Sequence, residues 1–126
     1  EKQIATVSKI DKDKVFTGTA KCHETDQDMC SEKTGIEIAT QRVAINYLCH
    51  VRDNELQPAL NALNQLYYSM NRSKDFSPKS YEAKMLYRAI NRYTADLEAI
   101  KDEIKERRLI LKAYINNKDK RKKSTL

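Results

Sequence analysis

Glycine and proline are nearly absent, with two of each in 126 residues. Gly18 and Gly35 are too far apart to form a phosphate-cradling loop, a dinucleotide fingerprint or a G-x-S-x-G nucleophile elbow. So few turn-forming residues also disfavour a many-stranded sandwich and favour long helices. Tryptophan is missing altogether. No apolar run approaches the ~20 residues of a membrane span. The stretch 1–14 is charged and has no signal-peptide pattern, although the start at Glu1 leaves removal of an upstream segment open. Three cysteines are an odd count without framework spacing, so a disulfide scaffold is not expected and a reducing cytoplasm is the default. The triplet Asn71-Arg72-Ser73 matches a glycosylation sequon, a pattern that arises easily by chance.

What the chain has is charge and helical periodicity. A third of its residues are charged and the net charge is +6. The run Lys118-Asp119-Lys120-Arg121-Lys122-Lys123 supplies +4 of this, so the rest of the chain is close to balance. Such a terminal run reads first as a solvated, disordered end (118–126) and second as a contact for nucleic acid or an anionic surface.

The most regular stretch runs from Ser80 to Asn117. Leu86, Ile90, Tyr93, Leu97, Ile100, Ile104, Leu111 and Tyr114 step by four and three, and only Arg107 interrupts them. That period is a seam that needs another helix. Ser77-Pro78 reads as its N-cap and first position. Ahead of it, Leu56, Leu60, Leu63, Tyr67 and Met70 define a helix over about 55–71 with Pro58 in its first turn. The loop 71–77 then makes an antiparallel helical hairpin with coiled-coil character. The first helix would be roughly 25 Å long and the second roughly 55–60 Å. The far half of the long helix therefore needs a second cover, either the N-terminal unit or another copy. Ile100, Ile104, Leu111 and Tyr114 are the candidate self-association residues. In a parallel homodimer Asp96 would face Lys101, and Glu103 would face Arg108. The plainer alternative is that these charges are solvated, with Glu103 and Arg107 paired along one helix.

Near the N-terminus residues 3–10 alternate. Ile4, Thr6, Ser8 and Ile10 lie on one side, with Ala5, Val7 and Lys9 on the other. Residues 15–22 behave similarly, and Asp11-Lys12-Asp13-Lys14 between them is turn chemistry. This predicts a β-hairpin, which must be covered to be stable. The cover is a helix from about Ser31 to Val51. Ile36, Ala39, Val43 and Tyr47 form one of its stripes, and Ile38, Ile45, Leu48 and Cys49 form a second. Two stripes mean burial on more than one side. Asp53-Asn54 reads as the break that ends it. The fold class is thus α+β, mostly α. Residues 1–52 form a hairpin-plus-helix unit, 53–117 a helical hairpin and 118–126 a basic tail.

Candidate chemistry is sparse. Cys22, His23, Cys30, Cys49 and His50 are all the thiols and imidazoles of the chain, and they lack zinc-site spacing. Glu24, Asp26, Asp28 and Glu32 could hold a hard cation, but they read better as a solvated acidic loop before a helix N-terminus. No metal, cofactor or enzymatic activity is expected. Binding is better supported. Tyr81, Lys84, Tyr87, Arg88 and Arg92 are the candidate partner-binding residues, because aromatics and arginine dominate hot spots. The basic row and tail (Lys118, Lys120, Arg121, Lys122, Lys123) are the candidate nucleic-acid contacts.

The segment Phe16-Thr-Gly-Thr-Ala-Lys-Cys22, then Asp26 and Asp28, then Glu32-Lys-Thr-Gly35-Ile-Glu-Ile-Ala39-Thr-Gln-Arg42 carries a resemblance. It resembles a strand–acidic loop–helix unit of small uncharacterised phage and prophage proteins. More distantly, it is similar to small bacterial domains with a double-stranded-RNA-binding-like fold. The match covers about 27 of the 126 residues. The place where double-stranded-RNA binders carry a basic helix start is acidic here. The resemblance implies a mobile-element origin and transfers no catalytic residue. It also draws attention to Gly35, which lies inside a helix where glycine costs up to ~1 kcal/mol against alanine. Close approach of the hairpin backbone would be its physical reason, and Gly35→Leu would then loosen the unit.

The expected function is that of a small non-enzymatic phage-type protein in the host cytoplasm. It would bind and modulate a host or defence protein, as an inhibitor or anti-defence factor, and form a homo-oligomer. Alternatives are a nucleic-acid-binding protein and a structural virion or assembly protein.

Overall fold

Alternation and turn chemistry place the first two elements where they are found. In a computed structural model, which describes residues 4–21 and 32–124 and side chains as far as residue 116, β1 (Ile4–Asp11) and β2 (Lys14–Lys21) form an antiparallel hairpin. Helices α1 (Glu32–Val51), α2 (Gln57–Asn71) and α3 (Tyr81–Ser124) follow. The protein is mostly helical α+β: the hairpin packs on α1, and two long helices pack together. Among the described residues no helix is long and apolar enough to cross a membrane. The chain divides into two compact units, one from 1–49 with 103–126 and the other from 50–102.

In the first unit the register runs without a bulge from Ile4↔Lys21 to Asp11↔Lys14. The turn is the two residues Lys12-Asp13, and Lys12 sits at φ 56°. A positive φ in a two-residue loop lets the turn follow the twist of the strands. The inner face pairs Ala5 with Ala20, Val7 with Gly18 and Lys9 with Phe16. Small residues there let the hairpin approach α1 closely. A Cβ built on Gly18 would stand 2.5 Å from the Val43 amide nitrogen and closer still to the Ala39 carbonyl oxygen. A Cβ on Gly35 would only meet the Ala5 methyl, at 3.4 Å. The close approach expected of a glycine is therefore real, but Gly18 on the strand provides it, and Gly35 does not.

Helix α1 is buried on two sides, as its two stripes require. Toward the hairpin it presents Ala39 and Val43 under Gly18, and Tyr47 edge-on to Phe16 with centroids 5.3 Å apart. Lys9 Nζ lies 4.6 Å from the centre of the Tyr47 ring. Toward α3, Ile38 and Ala39 form a core with Ala20, against which Leu111 and Tyr114 pack. The Arg107 guanidinium donates to Gln41 Oε1 at 3.1 Å and to Glu103 at 3.1 Å. The residue that interrupts the seam thus has its partners within the chain. The Tyr114 hydroxyl is held protonated above its ordinary 10.0, first by its hydrogen bond to Glu37, then by burial and by the Glu37 charge.

The expected break at Asp53-Asn54 is a π-helical turn, Arg52–Leu56, and the flanking residues Val51 and Gln57 keep right-handed helical angles. Helical backbone therefore continues from 32 to 71. The Gln57 amide donates five residues back, to the Arg52 carbonyl. Pro58 has no N–H for the carbonyl four residues before it, and its ring would crowd that carbonyl, so a widened turn just ahead relieves both problems. Asn54 Nδ2 donates to the His50 carbonyl at 3.2 Å, and Arg52 forms a two-bond pair with Asp53 at 2.7 and 3.1 Å. The Arg52 hydrogen bond holds the Asp53 carboxyl below its usual range, against the opposing effect of burial. Helix α2, at 15 residues, is much shorter than α3, at 44, as the apolar patterns predict. Helix α3 also keeps helical backbone to Ser124, beyond the Asn117 end set by the apolar pattern. Backbone in 118–124 is therefore helical where a disordered tail was expected.

Candidate functional site

The second unit is built around the turn that joins α2 to α3. Serines hold that turn. Ser73 Oγ accepts the Asp75 amide at 3.3 Å, Ser77 Oγ accepts the Lys79 amide at 3.3 Å, and Ser80 Oγ accepts the Ala83 amide at 3.2 Å. Ser80 is thus the N-cap of α3, while Ser77-Pro78 opens a separate turn just before it. Leu60, Ala83, Leu86 and Leu97 are buried in this unit.

At the turn the core gives way to an aromatic cluster. The Tyr67 ring lies 6.0 Å from Phe76, edge-on, and 6.2 Å from Tyr87, tilted by 49°. Beside it opens a cleft of about 310 Å³ lined by Tyr67, Pro78, Ala83, Lys84, Tyr87 and Arg88. A second cleft, of about 290 Å³, is lined by Phe76 with Met70, Asp75 and Glu82, and by Ser73, Ser77 and Ser80. The turn therefore presents aromatic rings in two clefts, one with the cations Lys84 and Arg88 and the other with the carboxylates Asp75 and Glu82. Among the described residues neither Lys84 nor Arg88 has an ion pair. Tyr68 and Tyr81 add exposed rings, at 63% and 73%, and Arg72 lies over the Tyr68 ring.

The structure brings Lys84, Tyr87 and Arg88 together around one cleft. Tyr81 and Arg92 are exposed on the same helix but do not line it. Tyr67, Phe76 and Pro78 were not among the candidates. Their signal was the equal spacing of Tyr67 and Tyr87 either side of Ser77, which a helical hairpin brings face to face.

The other candidates fall elsewhere. Ile104 is 2% exposed, and Leu111 and Tyr114 pack into the first unit, so the far half of the seam is covered by α1 and the hairpin, the first of the two covers expected. Ile100 is half-buried in the second unit. Three of the four charges proposed for a parallel dimer have neighbours within the chain: Lys101 pairs with Glu98 at 3.9 Å, Glu103 with Arg107, and Arg108 reaches Cys49 Sγ at 3.9 Å. Among the described residues no group of three or more His, Cys, Asp or Glu side chains could hold a metal ion. Cys22, His23, Cys30 and the acidic positions 24, 26 and 28 lie outside the described residues, as do the side chains of Lys118, Lys120, Arg121, Lys122 and Lys123.

No protein-family model matches the chain, and neither a curated protein nor a solved structure matches it.

Proposed function

We propose that this is a non-enzymatic binding protein that engages and modulates a host or defence protein through the turn end of its helical hairpin. The observation that carries the reading is the cleft in which Tyr67 and Tyr87 stand beside Lys84 and Arg88, which have no ion pair among the described residues. Rigid aromatics bring large contact area at low entropic cost, and arginine brings directional charge; together they dominate interface hot spots. The phage-like strand–loop–helix segment supports a mobile-element setting for such a partner.

The test is affinity capture from host lysate with wild type and with Tyr87→Ala/Arg88→Glu in parallel, followed by calorimetry on the purified partner. A partner that binds wild type at least tenfold more tightly, about 1.4 kcal/mol, supports the reading. Equal affinity for wild type and variant refutes the cleft as the site.

A second reading, nucleic-acid binding, is favoured by Lys84, Arg88 and Arg92, exposed on successive turns of α3. It requires steep salt dependence on duplex or single-stranded probes. No shift at low salt excludes it.

A further inference from the structure

The two edges of the hairpin are treated differently. In a hairpin closed by a two-residue loop, the pair next to the loop is hydrogen-bonded and pairs alternate from there. The backbone groups of Thr17 and Thr19 on β2, and of Ile4, Thr6, Ser8 and Ile10 on β1, therefore point away from the opposite strand. On β2 those outward carbonyls are taken by α1: Asn46 Nδ2 donates to the Thr17 carbonyl at 2.9 Å, and the Arg42 guanidinium donates to the Thr19 carbonyl. On β1 no backbone hydrogen bond reaches the outward groups from any described residue outside the hairpin. The strand is eight residues long and has no proline and no bulge. On the outer face β1 itself carries no charge from Ile4 to Ile10, and the one charge β2 adds there is Lys21, opposite Ile4. Ile4 (56%), Ile10 (74%) and Val15 (61%) are exposed there. Protected edges in monomers are short, bulged, charged or covered.

The sequence of this edge is close to a palindrome about Val7: Ile4-Ala5-Thr6-Val7-Ser8-Lys9-Ile10. We propose that β1 pairs antiparallel with β1 of a second copy of this chain, with Val7 on the two-fold axis. In that register Ile4 meets Ile10 and Thr6 meets Ser8. These are the residues whose backbone groups point outward, so the ladder closes without a slip. Val7 faces Val7 at the axis, and Lys9 faces Ala5, so no like charges oppose each other. β-branched and hydroxyl pairs of this kind are the favourable cross-strand pairs. A row Val15–Ile10–Ile4 of the second copy becomes continuous across the outer face. The two-stranded hairpin, marginal by itself, becomes half of a four-stranded sheet. The contact is isologous and closes as a dimer. A single strand pair buries less than the ~1,600 Å² of a standard interface, so the dimer is of micromolar strength or weaker.

The test is sedimentation equilibrium from low micromolar to near-millimolar concentration. Wild type is expected to pass from monomer toward dimer. Thr6→Lys/Ser8→Lys places like charges opposite each other in this register and is expected to weaken association at least tenfold. Thr6→Glu/Ser8→Glu is expected to do the same, and an equimolar mixture of the two variants to associate again. Both positions are exposed, and an unchanged melting curve checks that the fold is kept. On the unmodified chain, exchange of the Thr6, Ser8 and Ile10 amides is expected to slow as concentration rises. A wild type that stays monomeric overturns the proposal. So does a dimer that the lysine variant leaves intact, or one that leaves those amides exchanging at the monomer rate.

Discussion

Gly18→Ala removes nothing and adds one methyl group, so its cost measures how tightly the hairpin is seated. The added carbon would lie 2.5 Å from the Val43 nitrogen and 3.0 Å from Arg42 Cβ, with the Ala39 carbonyl nearer still. Ordinary contact requires β2 to rise from α1 by roughly 1 Å. Rotating a side chain cannot relieve the clash, because two of the three obstructing atoms are helix backbone. A lift of that size takes Asn46 out of reach of the Thr17 carbonyl, now 2.9 Å away, and stretches the Arg42 bond to Thr19. Overpacking costs about 1–3 kcal/mol, and the two hydrogen bonds add about 1–2 kcal/mol, so the expected loss is about 2–5 kcal/mol. That is a large share of a domain stability of about 5–15 kcal/mol. Gly35→Ala is the control. Its methyl would meet the Ala5 methyl at 3.4 Å, and it recovers up to about 1 kcal/mol of helix propensity. The two substitutions therefore have opposite signs. Urea unfolding followed by far-ultraviolet circular dichroism measures both. A Gly18→Ala midpoint within about 1 kcal/mol of wild type, or a Gly35→Ala loss as large as that of Gly18→Ala, would refute this account of the seat.

Lys12→Gly should stabilise the hairpin by about 0.5–1 kcal/mol, because a non-glycine residue at φ 56° carries strain that exceeds the entropy cost of glycine; a lower melting temperature contradicts this. Tyr114 keeps its proton in the folded chain at pH values where the unfolded chain has lost it, so stability should fall as pH rises above 10.0 and on through the folded value. Tyr114→Phe should flatten that part of the pH–stability curve, and an unchanged slope would remove the Glu37 bond as its cause. Arg42→Ala/Asn46→Ala should speed exchange of the β2 amides while α2 amides keep their protection, since both side chains act only on the free edge of β2.

The hairpin was legible because two local signals agree, period-two alternation and a polar turn tetrad. The two buried sides of α1 were legible because two apolar stripes on one helix have no other use. What escaped was tertiary. Asp53, Asn54 and Pro58 carry a genuine helix-weakening signal, yet neighbouring turns hold the chain helical and the conflict is resolved by a wider turn. A glycine in a helix looks costly and attracts a reason, whereas one in a strand passes as merely small. Only the packed backbone distinguishes Gly35 from Gly18. Lys84, Tyr87 and Arg88 could be picked from their places on a solvated face. Tyr67 had already been assigned to a core stripe, and Phe76 to a loop. An aromatic at the end of a core stripe serves core and cleft together, and periodicity cannot separate these roles.

The far end of the seam shows how packing decides availability. The apolar pattern leaves two covers open for Ile104, Leu111 and Tyr114, the N-terminal unit and a second copy. Within the first unit Leu111 and Tyr114 pack against Ala20, Ile38 and Ala39, and Arg107 has Gln41 and Glu103 as partners. The apolar heptad residues beyond Glu103 are spent inside the molecule. Among the described residues the backbone groups without a partner outside the hairpin lie instead at the outer edge of β1, where burial of side chains is no guide. A surface that seeks partners through main-chain hydrogen bonds gives no hydrophobic stripe, and its only sequence trace is the near-palindrome about Val7. The two candidate surfaces are thus chemically distinct: the edge matches a second copy of itself, while the cleft beside Tyr87 offers aromatic rings and cations and needs a partner with complementary charge.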